Sequence, residues 1–326
     1  MLRRAFLGEW AALEHVNAMP DAPAPKLLGG DVDLGFFVMD DLPPGHSLAD
    51  SLLGRDDGEA RRDLIAYARS LASLHAWSIG RETDFDAIRE RLGLPSGPRL
   101  WGARMVERGV APLVEVAKRL GIDAPGVTND AASVVVAVDE GATWRGLVHG
   151  DPCPDNTRII GDSCVIFDFQ PSSYGSIVLD ASYLAAPFPT CWCFAQLPQD
   201  ISDQALAAYR AALDDRGIST DGGWNDAIAA ALASLIVARG PAFAHALDDD
   251  DAWGTTTMRP RLIQWLESFL GAARKTDQFV VLAALARSLR DALAERWGEI
   301  AVGEYPALAR SKSHAVAAPE WWEPGL

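Results

Sequence analysis

His149-Gly150-Asp151-Pro152-Cys153-Pro154-Asp155-Asn156, with Asp168-Phe169-Gln170 further on, is the stretch whose reading decides the fold. Leu147-Val148 leads into it. Thr157 to Ile160, a Gly161-Asp162 turn and Cys164 to Phe169 follow, and two apolar runs about a Gly-Asp pair predict a β-hairpin. Such a hairpin folds Asn156 and Asp168 back to one edge of a sheet. Asp151 sits in a proline-stiffened loop with a carboxylate able to accept a proton, Asn156 offers a neutral carbonyl oxygen, and Asp168 adds a second carboxylate. Magnesium takes oxygen ligands, usually only one or two from protein, so the set suits that ion. A single Asp in a loop is ordinarily a turn former. That reading is given to Asp155, whose carboxylate beside Asn156 is expected to be solvated, but not to Asp151, Asn156 and Asp168 taken together.

The order His149-Gly150-Asp151, Asn156, Asp168 resembles the catalytic and metal-binding segments of the aminoglycoside phosphotransferase and choline kinase superfamily. Asp168-Phe169-Gln170 with Tyr174-Gly175 and Leu179-Asp180 resembles its ecdysteroid kinase-like branch in particular. Leu71-Ala-Ser-Leu-His75 is similar to the helix before the catalytic region, and Phe36 to Leu42 to the hinge strand. The resemblance covers roughly residues 5 to 190. It implies an α+β, protein-kinase-like bilobal fold with a truncated N-lobe over residues 1-42, ending at the hinge, and a large, mainly helical C-lobe over 43-326. It implies ATP and Mg2+ as cofactors and phosphoryl transfer to a hydroxyl group of a small molecule, chemistry that rests on positioning and charge neutralisation. Asp151 would be the base, Asn156 and Asp168 the metal ligands, and His149 and Asp180 supports of the loop. The backbone of Asp40, Asp41 and Leu42 would face the adenine. Arg158 is read as a surface charge and His75 as a core or helix-surface residue.

The chain departs from the family's pattern at its start. A glycine-rich strand-turn-strand and a strand lysine paired with a helix glutamate ordinarily precede the first helix. Here only eight residues precede Glu9, which matches that glutamate in position with Glu14 as a rival, and the first lysine is Lys26. The expectation is a start codon assigned downstream of the natural one, with a small sheet uncovered on its apolar side. The competing reading is a catalytically impaired pseudokinase or nucleotide-binding module.

Outward from this region, helical spacing predicts helices over 2 to 18, 59 to 79, 98 to 121, 128 to 138, 175 to 186, 201 to 215, 224 to 247, 259 to 273 and 276 to 298. Lys26 to Met39 reads as a hairpin whose second arm, Phe36-Phe37-Val38-Met39, is a buried strand, stopped by Pro43-Pro44-Gly45. Forty-five acids against 29 Lys and Arg, a net charge of -16, argue against a nucleic-acid partner. The absence of a long apolar run argues against a membrane partner. Cys153, Cys164, Cys191 and Cys193 lack zinc-site spacing, so they are expected as reduced thiols in a cytoplasmic protein. Asp248 to Asp251 reads as a solvated loop. Trp192, Phe194, Trp224, Trp253 and Trp265 are aromatic candidates for an acceptor site, with the core the more ordinary place for each. The acidic composition hints at a cationic acceptor and Gln170 at a sterol-like alcohol. Composition leaves the oligomeric state open.

Overall fold

The computed structural model describes residues 2–95, 101–298, 300–310 and 314–322. It begins with α1 (Leu2–Val16), the hairpin β1 (Leu27–Asp31) and β2 (Phe36–Met39), then α2 (Leu48–Leu53), α3 (Asp57–Ser78), α4 (Glu82–Arg91), α5 (Trp101–Arg119) and α6 (Val127–Val138). The central strands are β3 (Arg145–Val148), β4 (Thr157–Ile160), β5 (Ser163–Ile166) and β6 (Ser173–Ser176). Helices α7 (Val178–Ala185), α8 (Gln199–Asp214), α9 (Trp224–Ala238) and α10 (Gly240–Ala246), the short pair β7 (Ala252–Trp253) and β8 (Thr256–Thr257), and helices α11 (Met258–Ala273) and α12 (Val280–Trp297) complete it. The chain is thus α+β and mainly helical. The part of the expected helix over 98 to 100 lies outside the described residues.

Helix α3 shows why these segments form. Asp56 caps it by accepting from Glu59 N at 3.0 Å, which satisfies a backbone donor that has no partner in the first turn. Ala60, Leu64, Tyr67, Leu71 and Leu74 recur at helical spacing, and all five are buried. Burying each leucine contributes about 1.5–3 kcal/mol. One hydrophobic cluster runs from Leu7 through the central strands to Leu308.

The sheets are short antiparallel pairs. β3 pairs with β6, Leu147 opposite Tyr174, and β4 pairs with β5, Thr157 opposite Ile166. In β1–β2 the second arm is not buried: Phe36, Val38 and Met39 are 47, 48 and 46% exposed. Only Phe37 turns inward, stacking on Phe6 of α1, because a two-stranded ribbon covered on one side buries alternate residues. Other boundaries shifted for local reasons. The expected helix over 175 to 186 starts at Val178, since Ser173–Ser176 pairs with β3. The expected helix over 224 to 247 breaks into α9 and α10 with a 50° bend before Pro241, whose ring removes a backbone donor and crowds the preceding turn. No single described helix is long and apolar enough to cross a membrane, though that bent pair together reaches the length.

The cysteine expectation is overturned in part. Cys153 of the 149–156 loop is disulfide-bonded to Cys191, with Cα atoms 5.7 Å apart, while Cys164 and Cys193 are free and buried. The fold brings together thiols 38 residues apart, which spacing alone does not reveal. The thiol argument for a reducing compartment therefore falls.

Candidate active site

Strand β3 delivers the chain into the 149–156 loop, and hairpin β4–β5 returns it to Asp168. Phe167 donates its N–H to Asn156 O at 3.1 Å, extending that hairpin so that Asn156 lies beside the approach to Asp168. Gly150 has φ +86, and a Cβ there would meet Pro171 O at 3.0 Å, so both conformation and space call for glycine. Asp168 itself has φ +67, a left-handed conformation that costs a non-glycine residue about 1 kcal/mol or more and recurs at functional sites.

The loop is held from below by Asp180, in the first turn of α7. Its Oδ2 accepts from His149 N at 2.6 Å and its Oδ1 from Gly150 N at 3.1 Å. His75 Nε2 lies 3.0 Å from Oδ2, and His75 Nδ1 lies 2.7 Å from the Tyr209 hydroxyl. His75 is therefore a core residue bonded to the loop's anchor. His149 is fully buried, and its imidazole is held below the ordinary histidine pKa by burial. Asp151 N–H points at His149 Nδ1, 3.3 Å away, and His149 Nε2 lies 3.0 Å from Phe167 O. Those partners assign a neutral ring with its proton on Nε2, bridging the Asp151 loop to the segment before Asp168.

Asp151 is half-buried. Burial first, then the charges of Asp155 and Asp168, push its carboxyl up to about 6. Asn156 Nδ2 donates to Asp151 O at 2.9 Å and lies 3.4 Å from Oδ2, which leaves Asn156 Oδ1 for another partner. The Cys153 sulfur lies 3.0 Å from Asp151 Oδ1, and as half of a disulfide it has no proton to give. Asp155 is not solvated as the sequence suggested. Trp192 donates its indole N–H to Asp155 Oδ2 at 2.7 Å, Oδ1 is buried without a hydrogen-bond partner, and burial raises the carboxyl's pKa. Asp155 is the residue sequence reasoning missed, its only signal being its adjacency to Asn156; Trp192 stood among the aromatic candidates, but its bond to Asp155 was not foreseen. Arg158 is likewise more than a surface charge, donating to Gly45 O at 2.8 Å with a buried, unbonded Nε.

Glu9 and Glu14 part company. Glu14 pairs with Arg91 and accepts from Trp10 Nε1 at 3.2 Å. Glu9 faces the 168–170 segment: burial and then the Asp168 charge raise it to about 7, against the pull of the Phe169 and Gln170 backbone N–H groups. The close approach depends on Gly8, where a Cβ would meet Gln170 O at 2.8 Å. Glu9 Oε2 is buried without a partner. At the expected hinge, Asp40 is tied to Lys26 through Asp40 N to Lys26 O at 2.9 Å and Lys26 N to Asp40 Oδ1 at 2.5 Å. Asp41 is exposed and Leu42 half-buried.

The donor set fits a magnesium ion. Asn156 and Asp168 would supply the one or two oxygen ligands such an ion usually takes from protein, and the mutual repulsion of Asp151, Asp155 and Asp168 marks negative charge that a cation would relieve. Among the described residues, closer groupings of metal-binding side chains lie elsewhere, at His46, Glu59 and Asp63 and at His245, Asp249 and Asp251. The first is a half-exposed network around the buried Asp63, which accepts from Ser51 Oγ at 2.6 Å and pairs with His46 and Arg62. The second is exposed, and Asp248 beside it pairs with Arg119.

Among solved structures, this chain is similar to the macrolide 2'-phosphotransferase MphH from Brachybacterium faecium, with 17% identity over 77% of this chain and 81% of that one and a TM-score of 0.45. It is similar to the ADP-bound aminoglycoside phosphotransferase APH(2'')-Ib, with 12% identity over 90% and 84% and a TM-score of 0.44. An ethanolamine kinase from Plasmodium vivax matches with 11% identity over 88% and 72% and a TM-score of 0.43. No curated protein sequence matches. The model of the phosphotransferase enzyme family matches residues 3–225, from α1 through the loop and Asp168 into α9. With more than half of its length inside that match, the chain is a member of the phosphotransferase enzyme family.

Proposed function

We propose that this phosphotransferase moves a phosphoryl group from ATP to a hydroxyl of a small molecule, with Asp151 as the base and Asn156 and Asp168 as ligands of Mg2+. The observation that carries the reading is Asp151 itself, a carboxylate raised to about 6 beside Asn156 in a loop that Asp180 and His149 hold rigid. A base works best with a pKa near the operating pH, and phosphoryl transfer asks the protein mainly for position and charge neutralisation. The metal, when bound, would neutralise charge on the phosphates. Asp151 would accept the hydroxyl proton, and Asn156 would fix its orientation through the backbone and side-chain contacts of its amide. Residues 1-42 and 43-326 would form the two sides of the cleft, with Asp40, Asp41 and Leu42 at the adenine and Glu9 on the phosphate side. The net charge of -16 suits a cationic or neutral acceptor and opposes nucleic acid.

A second reading, a nucleotide-binding module without turnover, is favoured by Glu9 Oε2, buried with no cation to meet it. Measuring Mg-ATP binding and ATP consumption for the wild type and Asp151→Asn separates the two. Retained binding with a loss of about 10²–10⁴-fold in turnover supports the kinase, whereas binding without consumption in either protein supports the module. Asp168→Asn is expected to abolish magnesium-dependent nucleotide binding, and unchanged binding removes it as a ligand.

A further inference from the structure

A cavity of about 80 Å3 lies between α7, α9 and the catalytic loop. Its walls include Gly150, the residue before Asp151, and Pro171, just beyond the 168–170 segment, so it borders both parts of the candidate active site. The aromatic candidates of the sequence lie elsewhere: Trp192 meets Trp321 at 4.8 Å and Trp322 at 6.5 Å, centroid to centroid, on the Asp155 flank of the loop. Two charged side chains line the cavity among the described residues, Asp180 and Arg239. Asp180 is fully occupied, its Oδ1 by Gly150 N and its Oδ2 by His149 N and His75 Nε2. Arg239 is not. It is half-buried at the C-cap of α9, its guanidinium carbon lies 5.9 Å from the centroid of the Trp265 ring, and its side-chain N–H groups meet no acceptor and no carboxylate among the described residues. A helix C-terminus and an aromatic face make a cation tolerable, but neither occupies those donors. The Tyr183 hydroxyl, which also lines the cavity and lies 2.7 Å from Thr190 Oγ1, links this arginine to the loop. Burial raises its pKa to about 12, the Asp151 charge adds to the rise and the Arg239 charge opposes it, so both charges act at one wall of the cavity.

We infer that this cavity receives the acceptor, and that the acceptor is a small hydroxy carboxylic acid whose carboxylate pairs with Arg239 while its hydroxyl reaches Asp151. The inference rests on the kinase reading and names the substrate class of that same site. A guanidinium presents a planar fork of donors that matches a carboxylate bidentately, and such a pair gains strength in a wall that also holds Leu179 and Leu235. An ammonium group would meet the like charge of Arg239. A phosphate dianion would bring a second negative charge beside Asp180 and Asp151 with one guanidinium to balance it. The volume lies below the range of about 300–1,000 Å3 common for drug-sized ligands, which suits a few-carbon acid and opposes an oligosaccharide. The net charge of -16 acts through solvent and is screened over about 10 Å, so it biases which molecules arrive, whereas Arg239 decides what pairs inside. An amino acid with a hydroxyl side chain meets both conditions, being neutral overall. In the transfer step the acceptor oxygen bonds to the γ-phosphorus, the bond from that phosphorus to the β–γ bridging oxygen breaks with its electron pair leaving on ADP, and the hydroxyl proton passes to Asp151.

The test uses the full chain with Mg-ATP and follows ADP release for matched pairs of acceptors that differ by the carboxylate: glycerate and glycerol, 4-hydroxybutyrate and 1-propanol, homoserine and 3-amino-1-propanol, with choline and glycerol 3-phosphate alongside. The wild type is expected to use at least one of the acids with a kcat/KM on the order of 10–100-fold above its matched alcohol, the span of a charge-assisted hydrogen bond. Arg239→Gln is expected to bring that ratio close to one, and Arg239→Lys, which keeps the charge without the fork, to recover part of it. Because the ratio is taken between two acceptors in one protein, it does not depend on how much of a variant is folded. Faster turnover of the alcohols, of choline or of glycerol 3-phosphate than of every acid overturns the inference and leaves the kinase reading standing. So does an unchanged ratio in Arg239→Gln, which gives Arg239 a purely structural role, and so does ATP consumption that none of the acids accelerates. A wild type that neither binds nor consumes ATP overturns the kinase reading and the inference together.

Discussion

Asp180 illustrates how one carboxylate can organise a site without touching a reacting atom. It is 2% exposed, and the donors it satisfies are two consecutive backbone N–H groups of the catalytic loop and the His75 imidazole. Removing it leaves buried donors unmet, each costing about 1–3 kcal/mol. Asp180→Ala is therefore expected to lose about 3 kcal/mol or more of stability in urea denaturation, and Asp180→Asn, which keeps an acceptor oxygen, clearly less. Asp151 makes a different prediction. Its base form is present above its raised pKa, so kcat/KM for the free enzyme should rise with pH through about 6 and then level. A flat profile through that region would remove Asp151 from the base role. That Asp151, Asn156 and Asp168 are carried on one loop and the hairpin after it was legible in the sequence because their order and spacing are local. The burial of Asp155 was not, because its cause is Trp192, 37 residues away, and nothing in the run Pro154-Asp155-Asn156 encodes that neighbour.

At the scale of elements, α1 carries two titrations of opposite sign. His15 is buried, lies 2.8 Å from the Tyr174 hydroxyl, and is lowered to about 4 chiefly by burial. The unfolded chain binds its proton first, so this contribution is present at high pH and is lost as pH falls from 6.5 to about 4. Glu9 is raised to about 7, so the folded state holds the proton and stability is lost as pH rises from 4.5 to about 7. Each is worth at most about 3 kcal/mol. Glu9→Gln should raise the Tm near pH 8 and leave it almost unchanged near pH 4.5, measured by thermal melts across pH. The disulfide adds a second element-scale prediction. Closing a loop with a sequence separation of 38 stabilises by about 4 kcal/mol in the chain-entropy account. Cys191→Ala should lower stability by an amount of that order and make the melt insensitive to dithiothreitol, while the wild type shifts on reduction. Helix periodicity located most helices to within a few residues. The short α2 and α4 escaped it, since fewer than three turns give little period to read, and α9–α10 merged because Pro241 was outweighed by apolar residues on both sides.

Across the whole molecule, one hydrophobic cluster links α1 to Leu308, yet the β1–β2 ribbon keeps Leu28, Leu34, Phe36, Val38 and Met39 exposed. A ribbon with open edges and apolar outward residues is sticky. Val38→Lys should reduce binding of a hydrophobic dye and raise solubility while changing stability by about 0.5 kcal/mol or less, checked by dye fluorescence and melting. By itself the sequence determined the mixed, mainly helical class, the loop of residues 149–156 and the hairpin that returns to Asp168, the stretch that carries the resemblance to a phosphotransferase family. These are properties of local spacing: helical period, turn chemistry, and the order of oxygen-bearing side chains along a few dozen residues. Tertiary structure alone decided that Cys153 meets Cys191, that Trp321 and Trp322 come beside Trp192 and Asp155, that Glu9 rather than Glu14 faces the 168–170 segment, and that the second strand of the first hairpin lies open. Each of those depends on segments distant in sequence being packed against one another, and burial, which sets the charge state of Asp151, Asp155 and Glu9, exists only after that packing.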